Sequence, residues 1–164
     1  LFGLASAMIP FTGYNFGQGK ADRISSGIKT GLMICASVLI PMGLIILLFA
    51  RPLLELIFHP EQDVLDYATV AMRISVIGYL FYPFELMATA TAQGMKKPVY
   101  SLFLSLTRMI IIRTPLAFFL AISGNVIHVF WSQPISMLVT GMICILLFPK
   151  LLKQTTRVTN IDRS

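Results

Sequence analysis

No charge interrupts the twenty-one residues between Lys29 and Arg51, and a second uncharged run extends from Thr114 to Pro149. An α-helix rises 1.5 Å per residue, so about 20 apolar residues cross the ~30 Å hydrocarbon core of a bilayer. Runs of this length exceed what the core of a small soluble domain can hide. The whole chain follows suit, being 56% hydrophobic and 12% charged, against a charged share of about a quarter in soluble domains. The expected fold class is therefore all-α, a polytopic transmembrane helix bundle in which lipid replaces water around most of the surface.

Punctuation along the chain divides it into four long helices and a partial one, forming a bundle over residues 1–149. The partial helix covers 1–16 and is closed by Gly13, Gly17 and Gly19. A helix is predicted over about 28–50, ending at Arg51-Pro52. Another follows the polar turn HPEQD (59–63) and covers 64–93, stopped by Gly94-Met95-Lys96-Lys97-Pro98. The last two cover 99–122 and 126–148, separated by Ser123-Gly124-Asn125, and a basic polar tail occupies 150–164. Each helix contains a proline (Pro10, Pro41, Pro83, Pro115, Pro134), which membrane bundles tolerate because neighbours re-satisfy the freed carbonyls. The chain starts at Leu1 inside an apolar run, as expected for a piece of a longer protein.

Charge orients the bundle. The connections at 17–29 and 94–98 and the tail share one side and hold Lys20, Arg23, Lys29, Lys96, Lys97, Lys150, Lys153, Arg157 and Arg163. The other side holds Glu55, Glu61, Asp63 and Asp66 with Arg51 and Arg73. Lysine and arginine collect on the cytoplasmic side, so a cytoplasmic C-terminus in a multi-pass plasma-membrane protein is expected. This bias accounts for the net charge of +6. No basic stripe interleaved with aromatics argues for nucleic acid.

Enzyme signatures are missing: no HExxH, GxSxG, CxxC or Walker A loop occurs. Gly17-Gln18-Gly19 lacks the preceding strand and the third glycine of a dinucleotide fingerprint. His59 and His128 have no second ligand at a useful spacing, and Cys35 and Cys144, each inside an apolar span, read as small packing residues. No metal or organic cofactor is expected.

Residues 9–23, IPFTGYNFGQGKADR, resemble the loop after the second helix of each six-helix half in the MATE family (multidrug and toxic compound extrusion transporters). That family carries a pattern close to P-x-x-G-x-N-x-G-x-G-x-x-x-R, matched here by Pro10, Gly13, Asn15, Gly17, Gly19 and Arg23. The acidic outer loop FHPEQDVLDYATVAMRI (58–74) and the turn AQGMKKP (92–98) are similar to further family segments. The turn departs at Met95-Lys96, where the family often has a second glycine. The resemblance covers nearly the whole chain and implies one incomplete six-helix half, from the end of helix eight to helix twelve. The partner it implies is the missing N-terminal half of the same chain.

Read without the family, Gly13-x-x-x-Gly17 and Gly27-x-x-x-Gly31 put small residues on one helix face, letting backbones approach. Asn15 could bond across to a neighbouring helix end and help gate the inner side. The sharper feature is Glu85. It lies twelve residues from Arg73 and eleven from Lys96, about 16–18 Å from either and near the bilayer centre. A charge there costs about 2.5–3.5 kcal/mol on insertion scales, so it is expected to face the bundle or a wet cavity. Two residues earlier, Pro83 bends the helix and leaves the carbonyl of Tyr79 without its helical donor. With Tyr82 alongside, a carboxylate, a ring and a free carbonyl fall within two turns, suited to an ion or cation at the midplane.

Arg108 follows Lys97 by eleven residues, so a hairpin turning at 96–97 puts it at the depth of Glu85. Arg113, about 140° further round an α-helix, is excluded from that face. An arginine there favours the charged carboxylate, which argues for an ion pair that opens or swaps partners and against Glu85 as a proton carrier. The resemblance implies coupling to Na⁺ or H⁺ through buried carboxylates, and export of drugs or organic cations, small molecules carried across the lipid bilayer. A lipid-linked oligosaccharide flippase of the same superfamily, with a basic cavity, is the alternative that Arg108 and Arg113 keep open. A non-transporting membrane subunit has no reason to bear the cost of a midplane Glu and Arg.

Overall fold

The computed structural model describes residues 1–58, 61–122 and 124–161, and among them every regular element is helical. The expected turn residues His59 and Ser123 and the end of the tail, 162–164, lie outside the described residues. Helix α1 (Phe2–Gly17) turns through residues 18–20 into α2 (Ala21–Phe58). Gly19 takes a φ of +65° in that turn, and Lys20 N–H donates to the Asn15 carbonyl at 2.9 Å. The connection expected over 17–29 is thus a tight turn, and the helix expected at 28–50 begins and ends well outside those bounds.

Arg51-Pro52 does not stop α2. Pro52 removes one amide and crowds the turn before it, and the helix answers with a kink at Phe49 (φ −112°, ψ 16°). Beyond the kink, Arg51 reaches Glu55 at 3.3 Å and Asp66 at 3.2 Å, tying the end of α2 to the next helix. These pairs are half-exposed, and such pairs contribute little each.

The single helix expected over 64–93 is two. Helices α3 (Gln62–Tyr79) and α4 (Tyr82–Gly94) meet at 47°. Phe81 N–H closes a tight turn onto the Gly78 carbonyl at 3.0 Å. Pro83 then sits in the first turn of α4, where its missing amide costs nothing. The bend is held from outside: a Cβ on Gly78 would come 2.8 Å from the Pro134 backbone, and one on Gly141 3.3 Å from the Phe81 carbonyl.

The helix expected over 99–122 also changes winding. It comprises α5 (Pro98–Leu106), a π-helical segment (Thr107–Arg113) and α6 (Thr114–Ala121). Thr114 N–H donates to the carbonyl of Met109, five residues back, and its hydroxyl donates to the same oxygen at 2.8 Å. In α geometry the ring of Pro115 would clash with the carbonyl four residues behind it, and the wider turn relieves that clash.

The final expected helix, 126–148, divides into α7 (Val126–Phe130) and α8 (Ser132–Ile161). Asn125 caps α7 by accepting from Ile127 N–H at 3.0 Å. Helix α8 runs through Pro149, so the segment predicted as a polar tail is helical as far as Ile161.

Among the described residues, Ala21–Phe58, Pro98–Ala121 and Val126–Pro149 are each long and apolar enough to cross a membrane, and the bent pair α3–α4 supplies a fourth crossing if taken as one span. Helix α4 lies at the centre, packed against α1, α5, α8 and α2. Its run ATATAQG is why: small side chains at Ala88, Ala90, Ala92 and Gly94 are buried and let four neighbours close in. The outer helices carry exposed Leu48, Phe118 and Phe119, side chains at home in hydrocarbon. Cys35 and Cys144 are buried and free, in keeping with a packing role.

Candidate functional site

Glu85 occupies the first turn of α4 with 4% of its surface exposed. Arg108, in the π segment, brings Nη1 to 3.0 Å from Glu85 Oε2. Its guanidinium carbon lies 5.6 Å from the centre of the Tyr82 ring. One cation thus bridges the carboxylate and the aromatic face one turn before it. The antiparallel register behind this contact recurs toward the turn, where Gln93 Nε2 donates to Ser101 Oγ at 2.8 Å. Both rungs follow from a hairpin reversing at 95–97, where Lys97 N–H donates to the Ala92 carbonyl.

The pair is close but not aligned. Glu85 Oε2 accepts no hydrogen bond of good geometry, so the 3.0 Å contact is chiefly one of charge. Charges taken out of water are repaid only when geometry is good and the remaining lone pairs are satisfied.

The pair faces a cavity of about 320 Å³. Tyr82, Glu85, Thr89 and Gln93 line it from α4, and Ser101, Ser105 and Arg108 from the opposite helix. Phe2, Ala5, Ser6 and Ile9 of α1 close a third side. One carboxylate, several hydroxyls and an amide line the cavity together with the Arg108 guanidinium, so its wall offers both acceptors and a positive charge. Among the described residues no three His, Cys, Asp or Glu side chains gather as a metal centre would need.

Of the residues singled out in the sequence, the structure brings Glu85, Tyr82 and Arg108 together and places Pro83 at the bend beneath them. Tyr79, singled out for the carbonyl that Pro83 leaves without its donor, does not line the cavity with its side chain. Its side chain, 43% exposed, lies along a shallow apolar groove with Leu39, Met42 and Val76, because the break at residues 80–81 rotates α3 away from α4. The 140° between Arg108 and Arg113 assumed α winding, and a segment wound with i→i+5 bonds turns through a different angle. Arg113 is nonetheless exposed and lines no part of this cavity.

Gly13 has the expected close approach: a Cβ there would lie 3.2 Å from the Gly94 carbonyl. Gly17 meets nothing within 4 Å, so the pair does not act as one packing face. Asn15 is buried, but its side-chain amide donates to the Phe11 carbonyl of its own helix at 2.8 Å, and Oδ1 has no partner. Sequence reasoning missed Thr89, Gln93, Ser101 and Ser105. Their signal was present: 85, 89 and 93, and 101, 105 and 108, are polar positions repeating at one-turn intervals through apolar helices.

Comparison with known proteins follows this geometry. A family model described as MatE matches residues 1–119. A curated relative, the FAD transporter of Shewanella oneidensis, is 23% identical over 141 residues, 86% of this chain and 31% of the relative. The inward-facing conformation of a multidrug resistance MATE family transporter of the MOP superfamily superposes with a TM-score of 0.80 at 21% identity, over 93% of this chain and 36% of that one. A MATE protein crystallised in complex with MaL6 gives 0.87 at 19% identity, over 93% and 35%. The chain therefore spans about a third of the length of the proteins it matches.

Proposed function

The chain belongs to the MatE family of membrane transporters, and from that premise we propose that it is part of a secondary active transporter exporting drugs or organic cations in exchange for Na⁺ or H⁺. The observation that carries this reading is the buried Glu85, held 3.0 Å from Arg108 at the wall of a polar cavity. An entering cation competes with Arg108 for the carboxylate and for the Tyr82 ring. Cargo and coupling ion thereby act on one pair of charges, and the pair opens when either binds. The relatives' remaining length supplies the opposing half of the bundle, against which this half rocks in alternating access. The basic connections and α8's C-terminal end face the cytoplasm across the plasma membrane. In intact cells, a cysteine replacing Glu61 labels from outside and one replacing Lys153 does not; the reverse pattern overturns this orientation.

Arg108 favours a second reading, in which the displaced guanidinium receives an anionic group, as the FAD cargo of the Shewanella oneidensis relative and the head of a lipid-linked oligosaccharide would require. Both readings meet one experiment in the full-length protein reconstituted in liposomes. Glu85→Gln abolishes or strongly reduces gradient-driven export, because it leaves the part-buried Arg108 without its counter-charge. Adding Arg108→Gln removes both charges. If the pair were structural only, the double variant would regain near-normal export. We expect it to stay inactive though folded. Ethidium export by the unaltered protein supports the cation reading; FAD export that vanishes with Arg108→Gln alone supports the anion reading.

A further inference from the structure

Helix α1 has a second lined face. Leu4, Ala7, Met8 and Phe11 are offset by two residues from Phe2, Ala5, Ser6 and Ile9, which wall the Glu85 cavity. At about 100° per residue this places them on the opposite side of the helix. There they form, with α2, a groove of about 440 Å³ whose far wall is Gly27, Thr30, Gly31 and Ile34. The groove is apolar except at one end, where Arg23 and Ser26 enter it. Arg23 also borders an adjoining cavity of about 480 Å³ lined by Gly19, Lys20, Ala21 and Asp22. Arg23 therefore stands at the junction of an apolar slot and a polar bowl.

We propose that this groove binds one phospholipid with an anionic headgroup, its acyl chain along α1 and α2 and its phosphate on Arg23 and Lys20. Length fits: the eleven residues from Arg23 to Ile34 span about 16 Å, close to half of the ~30 Å hydrocarbon core. The slot thus begins at the basic surface and ends near the bilayer centre, the reach of a single leaflet. Charge fits as well, because basic pockets between membrane helices select anionic heads. Asp22 beside them disfavours a second negative charge, leaving room for one phosphate. Arg23 is exposed at the mouth of the slot, where a phosphate neutralises it. Gly27 seats the Phe11 ring against the wall: a Cβ there would lie 2.4 Å from Phe11 Cε1, so a larger side chain pushes the ring into the groove. The inference rests on the membrane reading of the chain and not on what it transports.

The test uses the full-length protein in nanodiscs of equal phosphatidylglycerol and phosphatidylcholine, released into mild detergent for native mass spectrometry. Phosphatidylglycerol is expected to be retained in about thirtyfold preference, the order expected for two basic contacts. Lys20→Gln with Arg23→Gln brings that ratio close to one while the melting temperature holds. Gly27→Leu removes the bound lipid of both kinds; if that variant does not fold, the charge variant alone decides. Equal retention by the unaltered protein, or a preference that survives loss of both charges, overturns the proposal. So does a cysteine at Gly27 that cross-links to another segment of the same protein, since a helix then holds the groove.

Discussion

Glu85 and Arg108 touch, yet the helices that carry them live in different surroundings. Along α4, Glu85, Leu86, Met87, Ala88, Ala90, Thr91 and Ala92 are all buried. On the opposite helix, burial is confined to Ser101 and Leu104 in α5, and neither the π segment nor α6 buries a residue. The carboxylate is therefore fixed on a helix clamped from several sides. The guanidinium is carried by a peripheral helix facing lipid and wound with long-range backbone bonds. Of the two partners, the arginine therefore sits on the less tightly packed element. Mobility is available where few packed contacts oppose it.

The strongest way to break this contrast is to put equal insults on the two helices. Gly94→Leu drives a side chain into α1, since even a Cβ would lie 2.6 Å from the Ile9 carbonyl and from Thr12. Overpacking of this kind costs about 3 kcal/mol, at the upper end of its usual range. Ile110→Ala, at a position 59% exposed, should change stability by about 0.5 kcal/mol or less. Thermal melting of the purified protein distinguishes them; equal melting temperatures would remove the distinction between centre and rim.

A sharper probe targets the winding itself. Pro115→Ala restores an amide and lifts the clash that widens the turn before it. The segment should relax to α geometry and rotate Arg108 away from Glu85. Stability should hold or rise by up to about 1 kcal/mol, since the proline's cost in a helix interior is relieved, while export falls several-fold. Cross-linking between cysteines at Thr89 and Ser105 reads the rotation directly, and an unchanged yield would detach the π segment from the site.

The smallest effect lies at the turn joining the two helices. Lys96 adopts a φ of +59°, left-handed backbone that costs a non-glycine residue about 1–2 kcal/mol. Lys96→Gly should stabilise the hairpin by about 0.5–1 kcal/mol after glycine's own entropy is counted, seen as a modest rise in melting temperature. The departure from the family's turn pattern at Met95-Lys96 was visible in the sequence; its backbone cost became visible in the fold.

Much of the site was legible before the fold. The depth match of Glu85 and Arg108 required two helices, one turn and a fixed rise per residue, and those quantities are linear along the chain. The same arithmetic failed where winding departed from a regular α-helix. Pro83 and Pro115 signalled trouble, but their chemistry alone did not say that one would bend the span by 47° and the other would widen a turn. The side chain of Tyr79 turned away from the cavity with the first of these effects, while Arg113 stayed off it despite the second.

The sequence by itself determined which segments are apolar enough to cross a membrane and the meeting of Glu85 with Arg108 across a hairpin. Tertiary structure decided which face of each helix looks inward. It chose Gly13 and not Gly17 for the contact with Gly94, and gathered Thr89, Gln93, Ser101 and Ser105 into the cavity wall. The physical reason is that hydropathy fixes a span's length but not its rotation. In lipid an apolar side chain gains nothing by turning inward, so rotation is set by close packing of small residues and by the few polar groups that must find one another.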